Sequence, residues 1–271
     1  SDWSSDVCSS DLFILGIGIS KVKDSSLLKV FEEFNSIVLM IVTNVLIPLV
    51  PIYICCIFAK LSFSGEIFTT LKSFAIVYAV LFSLQAIYIL IQYSIASVIK
   101  KENPFKLIKN MLPAYFTAMG TQSSAATIPV TLQCVKSNNV GEEIAEFVVP
   151  LGATIHLAGD TITLVITSMA VMYMNGQVPT LSQVIPFIFM LGVTMIAAPG
   201  VPGGGVMAAL GLLETMFGFG SIEKPIMIAL HAAQDSFGTA TNITGDGAIA
   251  VIVDYLINKK DNESNVELES A

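Results

Sequence analysis

The chain has 271 residues, 54% hydrophobic and only 13% charged, with a mean hydropathy of +0.76 and a formal net charge of -8. That is more apolar and less charged than a soluble domain, which excludes an ordinary soluble core and points to a lipid bilayer as partner. Much of the negative charge sits in the two ends, residues 1–12 and 261–271, so it identifies no partner, and no nucleic acid is expected.

Residues 1–12, SDWSSDVCSSDL, are polar and repetitive, lack the positive start and apolar middle of a signal peptide, and read as a non-native leader. Residues 13–19 are apolar but too short to span, as the tail of a longer helix would be. The charge-free runs 36–59 and 73–99 each exceed the roughly 20 apolar residues that cross a hydrocarbon core. The first is interrupted by Pro48 and Pro51, which neighbouring helices, hydroxyls or water make tolerable in a membrane. Residues 13–72 therefore read as a scaffold part, the end of one helix and a following one.

Lysines orient the chain. Three lie in the 20–35 loop and four in the 100–110 loop, against Lys60 and Lys72 between the spans, so the first and third loops are expected to be cytoplasmic. Lys259 and Lys260 put the polar tail, 259–271, on the same side: a multi-pass cell-membrane protein with a cytoplasmic C-terminus. An even number of crossings must then follow residue 110. Four apolar segments nevertheless remain: 105–135, 144–174, 182–218 and 225–257. The first and third have broken centres, Gly120-Thr121-Gln122-Ser123-Ser124-Ala125-Ala126-Thr127 and Ala198-Pro199-Gly200-Val201-Pro202-Gly203-Gly204-Gly205. Read as helical hairpins that enter and leave on one face, they restore the even count, with 144–174 and 225–257 as true crossings. The fold class is an all-α polytopic membrane protein with two re-entrant hairpins. Broken segments in corresponding positions of two halves also mark a transporter's binding site.

Between Glu146 and Glu214 the one formally charged side chain is Asp160. Asp246 and Asn242 lie four apart on one helix face, and a carboxylate at membrane depth is costly unless it holds a cation. All thirteen basic residues are lysines, so arginine, the usual bidentate clamp for carboxylates, is absent. Cys55 and Cys56 are adjacent in an apolar run and Cys134 stands alone; they read as buried small apolar side chains.

The run Gln122 to Thr131 resembles the first re-entrant hairpin of the dicarboxylate/amino acid:cation symporter (glutamate transporter) family. Val149-Pro150-Leu151-Gly152-Ala153-Thr154-Ile155 is similar to the start of that family's seventh helix, and Gly200-Val201-Pro202-Gly203-Gly204-Gly205 to its second hairpin. Asp235 through Thr239, Asn242, Gly245 and Asp246 are similar to its eighth helix. The four motifs stand in the family's order, and the resemblance covers about residues 13 to 258; the family has three further N-terminal helices that are not expected in this chain.

The resemblance implies a sodium-coupled secondary transporter working by alternating access, a small-molecule substrate, a homotrimer, and no cofactor beyond sodium as coupling ion. Residues 73–258 would form its transport domain. Substrate-site positions by this resemblance are Ser123, Ser124, Asp160, Val201, Gly205, Asp235, Gly238, Thr239 and Asn242. Sodium would be held by Asp246 with backbone oxygens of Gly152, His156 and Asn242, an oxygen set suited to a hard cation. Asp235 stands where the family holds the substrate amino group. Members that carry acidic substrates have an arginine three residues later, where this chain has Gly238, and an acidic companion one turn before Asp235, where it has His231. Asp160 replaces a threonine and would repel a second carboxylate. A neutral amino acid is expected, or else a cationic one.

The family's Asn-Met-Asp-Gly-Thr run is here His156-Leu157-Ala158-Gly159-Asp160, so fewer sodium ions are expected, and the two histidines raise a proton as an alternative coupling ion. A proton- or sodium-coupled dicarboxylate or acidic amino acid symporter is the alternative function. A channel-like membrane protein and an intramembrane aspartyl protease built on Asp160 and Asp246 are the rivals from other classes. The protease reading lacks a Gly-x-Gly context at either aspartate and leaves both hairpins unexplained, so the chain is not expected to be an enzyme.

Overall fold

The computed structural model describes the backbone of residues 67–198, 200 and 202–269, with isolated positions before them, and side-chain surroundings from Phe74 to Asn258. Residues 1–12 and most of 13–19 and 36–59, together with Val201, lie outside the described residues. The chain divides into two compact units, Ser1–Cys56 and Ile57–Ala271, and the helices below all belong to the second. Cys134 is buried as expected, whereas Cys55 and Cys56 are exposed, a correction to their reading as buried residues: small apolar side chains can face outward on a helix bound for lipid.

Helix α1, Ile67–Lys100, ends in Lys100, whose ammonium donates to the carbonyls of Asn138 and Asn139 at 2.6 and 2.8 Å. Then α2, Pro104–Thr121, opens with proline at its first position and an Asn103 cap accepting from the Phe105 N–H at 2.8 Å. Proline is favoured there because its missing N–H would go unpaired anyway. The helix stops at Gln122, which adopts the left-handed φ of 51°. The next residue, Ser123, is already the N-cap of α3, Ser124–Ser137, its hydroxyl accepting from the Ala126 N–H at 3.3 Å. A left-handed stop directly followed by a serine cap reverses the chain in two residues.

The 144–174 segment, expected as one crossing, is broken. It forms α4, Glu142–Ile155, and α5, Ala158–Met174, parted at His156 and Leu157. After it come α6, Leu181–Met195, and α7, Gly204–Phe217, joined by the glycine-proline stretch and preceded by Gly203 at φ 74°. Finally α8, Glu223–Glu269, runs past the expected end at 257 as one continuous helix. Three stretches are long and apolar enough to cross a membrane: Phe74–Lys100, Glu142–Met174 and Glu223–Asn258.

Helix α8 touches α1 through α5 and α7 and so forms the axis of the unit. Two apolar clusters flank it. One joins α1 through Tyr93 with α2, α3, α4 and the α8 residues Ala240, Ile243 and Ala248. The other joins α5, α6, α7 and the first turns of α8, with Leu164, Phe187, Leu191, Leu213 and Met227 fully buried. Buried polar residues, among them Gln85, Ser124, Asp160, His231, Asp235, Asn242 and Asp246, fill the seam.

Candidate functional site

The seam is built from helix ends. The N-termini of α3, α5 and α7 each present N–H groups without intrahelical partners and a partial positive charge, which favours anionic groups beside them. Gly203, capping α7, donates its N–H to Asp235 Oδ2 at 2.8 Å. Asp160 lies in the first turn of α5 and accepts from the Asn242 amide at 2.8 Å. The other end of that amide accepts from the Gly159 N–H at 2.7 Å, so one α8 side chain ties down the α5 N-terminus. The two hairpin tips meet where the Ser123 hydroxyl donates to the Gly200 carbonyl at 2.8 Å, and the Gln122 amide reaches the Ser236 hydroxyl at 2.8 Å.

Most of the expected substrate-site residues converge here. Ser124, Asp160, Gly205, Asp235, Thr239 and Asn242 are buried, with Ser123 beside them at the tip. A Cβ on Gly205 would lie 3.4 Å from Asp160 Cβ and from His231 Nε2, which puts the start of α7 directly against both. A Cβ on Gly238 would stand 3.0 Å from Asp160 Oδ1. The Gly238 position therefore faces a carboxylate. The Thr239 hydroxyl is 3.5 Å from Asp235 Oδ1, a long contact on the same side chain.

The expected sodium positions form a second group. Asp246 is fully buried; its Oδ1 meets His156 Nδ1 at 2.8 Å, while its Oδ2 has no hydrogen-bond partner. A Cβ on Gly152 would come within 2.5 Å of Asp246 Oδ1, so only glycine lets α4 approach so closely. His156 caps α4, and its other ring nitrogen meets the Tyr88 hydroxyl at 3.0 Å, which in turn accepts from Gln92 at 2.8 Å. The histidine thus brings its ring to Asp246, where only its backbone oxygen was expected. Asn242 lies one turn before Asp246, but its side chain faces Asp160 and Gly159 instead.

Sequence reasoning left several neighbours out of the site. His231, fully buried, places Nε2 3.2 Å from Asp160 Oδ1, near enough for charge contact but out of line for a hydrogen bond. Gln85 reaches Gln234 at 3.3 Å and Thr163 at 3.4 Å across α1, α5 and α8. An amide side chain within a charge-free span, a feature Gln85 shares with Gln92, was the available signal.

Comparison with known proteins decides the family. The sodium:dicarboxylate symporter family matches residues 12–256, nearly the whole chain. The chain belongs to the sodium:dicarboxylate symporter family. Human neutral amino acid transporter A is 29% identical over 172 residues, covering 63% of this chain and 32% of that protein. Human excitatory amino acid transporter 1 is 30% identical over 171 residues, 63% of this chain and 31% of that protein. Mouse excitatory amino acid transporter 2 is 30% identical over 160 residues, 59% and 28% respectively. The aligned stretch thus spans about a third of the relatives' length. With family membership and three stretches long and apolar enough to cross a bilayer, this symporter-family chain is a membrane protein.

Proposed function

We propose that the protein is a secondary active transporter that moves a neutral amino acid together with sodium by alternating access. The two helix-turn-helix units would be re-entrant, with their tips at mid-membrane as the two gates. The substrate carboxylate would take the N-termini of α3 and α7 near Ser124 and Gly205. Its amine would take Asp235, exchanging with the Gly203 N–H that occupies the carboxylate in this structure. Thr239 and Asn242 would flank it.

The observation that supports a non-acidic substrate is Asp160 at 3.0 Å from the Cβ position of Gly238. Where acidic-substrate relatives of this fold carry arginine, this pocket has a carboxylate. A second carboxylate on the substrate would meet repulsion rather than a clamp. A cationic amino acid is the second reading, favoured by the same Asp160.

Sodium fits the second group. Asp246 offers one carboxylate oxygen with no partner. Gly152, His156 and Asn242 would add backbone oxygens, and hard oxygen donors suit an alkali cation. The assembly would be a homotrimer with its C-terminus cytoplasmic.

The test is sodium-dependent binding of neutral, basic and acidic amino acids and dicarboxylates to the purified native protein, with Asp235→Asn and Asp246→Asn beside it. Binding of a neutral amino acid that both variants lose is the expected result. Tight dicarboxylate binding unaffected by Asp235→Asn would overturn the substrate class.

A further inference from the structure

Asp160, His231 and Asp235 come from two helices, and one ligating atom of each lies within 4.8 Å of the others. All three are buried, with His231 fully enclosed. Their polar atoms are poorly satisfied: Asp160 Oδ1 and both ring nitrogens of His231 have no hydrogen-bond partner among the described residues. A buried, unpartnered polar atom is costly, and here two of them lie 3.2 Å apart without forming a hydrogen bond. A tetrahedral ion with bonds of roughly 2.0–2.1 Å holds its ligand atoms about 3.3 Å apart, which matches that gap.

We infer that Asp160, His231 and Asp235 form a site for a divalent transition cation such as Zn2+ or Co2+. One imidazole nitrogen and two carboxylate oxygens suit a borderline cation better than a hard one. Three protein ligands leave a fourth position open toward the start of α7, where Gly205 adds no side chain. The ion also explains a pairing that sodium does not, because nitrogen is a poor ligand for an alkali cation. Asp235 would leave the Gly203 N–H to complete the set, so metal and substrate amine compete for one carboxylate.

The site is tested on the tag-free native protein in detergent, stripped with chelator and titrated with Co2+ in sodium-free buffer without amino acid. One equivalent should bring up the visible bands of low-coordinate Co2+, and Zn2+ should displace it. His231→Gln and Asp235→Asn should each weaken binding by more than the roughly 10–100-fold that loss of an outer partner of a metal ligand costs. X-ray absorption of the unmodified Zn2+ form should show one imidazole with oxygen neighbours, a result that needs no variant to fold. No Co2+ bands, two imidazoles or a sulfur at the ion, or loss of binding through Asp246→Asn in place of His231→Gln, would each overturn the site. Because neither sodium nor transport enters the measurement, its failure leaves the transporter reading standing, and failure of amino acid binding leaves the metal site standing.

Discussion

Single atoms decide the two polar groups. At Gly152 a methyl group would stand 2.5 Å from Asp246 Oδ1, closer than any relaxed contact. Gly152→Ala should therefore displace the Asp246 carboxylate and weaken sodium by about tenfold or more, near 1.4 kcal/mol, as read from the sodium dependence of substrate binding. The Gly238 position makes a sharper prediction about the substrate. Gly238→Arg alone should gain no acidic substrate, because Asp160 lies 3.0 Å from the new Cβ and would neutralise the guanidinium. Gly238→Arg with Asp160→Thr should shift preference toward acidic amino acids by about tenfold. Competition binding of a neutral against an acidic amino acid checks both, and equal behaviour of the single and double variants would refute the role given to Asp160.

At the scale of elements, the break between α4 and α5 is what makes the site. It frees an N-terminus at Gly159, which Asn242 of α8 then holds, and it places Asp160 in the first turn of a helix whose dipole favours its charge. The same crossing requires that α5 and α8 touch backbone to backbone: a Cβ on Gly159 would run into the Gly238 carbonyl and the Thr241 side chain. Helices in lipid associate through such close packing, since leaving lipid for a neighbouring helix brings little hydrophobic gain. Gly159→Ala should force the helices apart and cost about 1–3 kcal/mol, as overpacking does elsewhere. Thermal unfolding in detergent measures it, and an unchanged midpoint would mean the helices have more room than their glycines suggest.

At the scale of the molecule, apolar side chains line the outside as well as the two clusters. Ile76, Ile87, Ile91 and Ile95 of α1 and Ile185, Phe189 and Val193 of α6 are exposed on the second unit. Such faces are stable where the surroundings are themselves apolar. Ile91→Lys should cost about 2.5–3.5 kcal/mol of insertion, the penalty for a lysine at the centre of a spanning helix. The measurement is the fraction of protein recovered in the membrane, with Ile91→Leu as the neutral reference. Equal recovery of the two would mean that Ile91 meets water.

What was legible in the sequence follows from features that repeat along the chain. Charge-free length marked the span at 73–99, and helix-breaking residues inside apolar flanks located the turns at Gln122 and around Gly200 to Gly203. Those signals are local, because bilayer thickness and backbone hydrogen bonding act on each segment separately. The break at His156 and Leu157 left no such mark, since neither residue disrupts a helix by itself and Pro150 sits within α4. Whether a polar side chain finds a partner depends on groups brought in from distant helices. Only the tertiary structure therefore joined His156 to Asp246, set Asp160 against Gly238, and turned His231 toward Asp160.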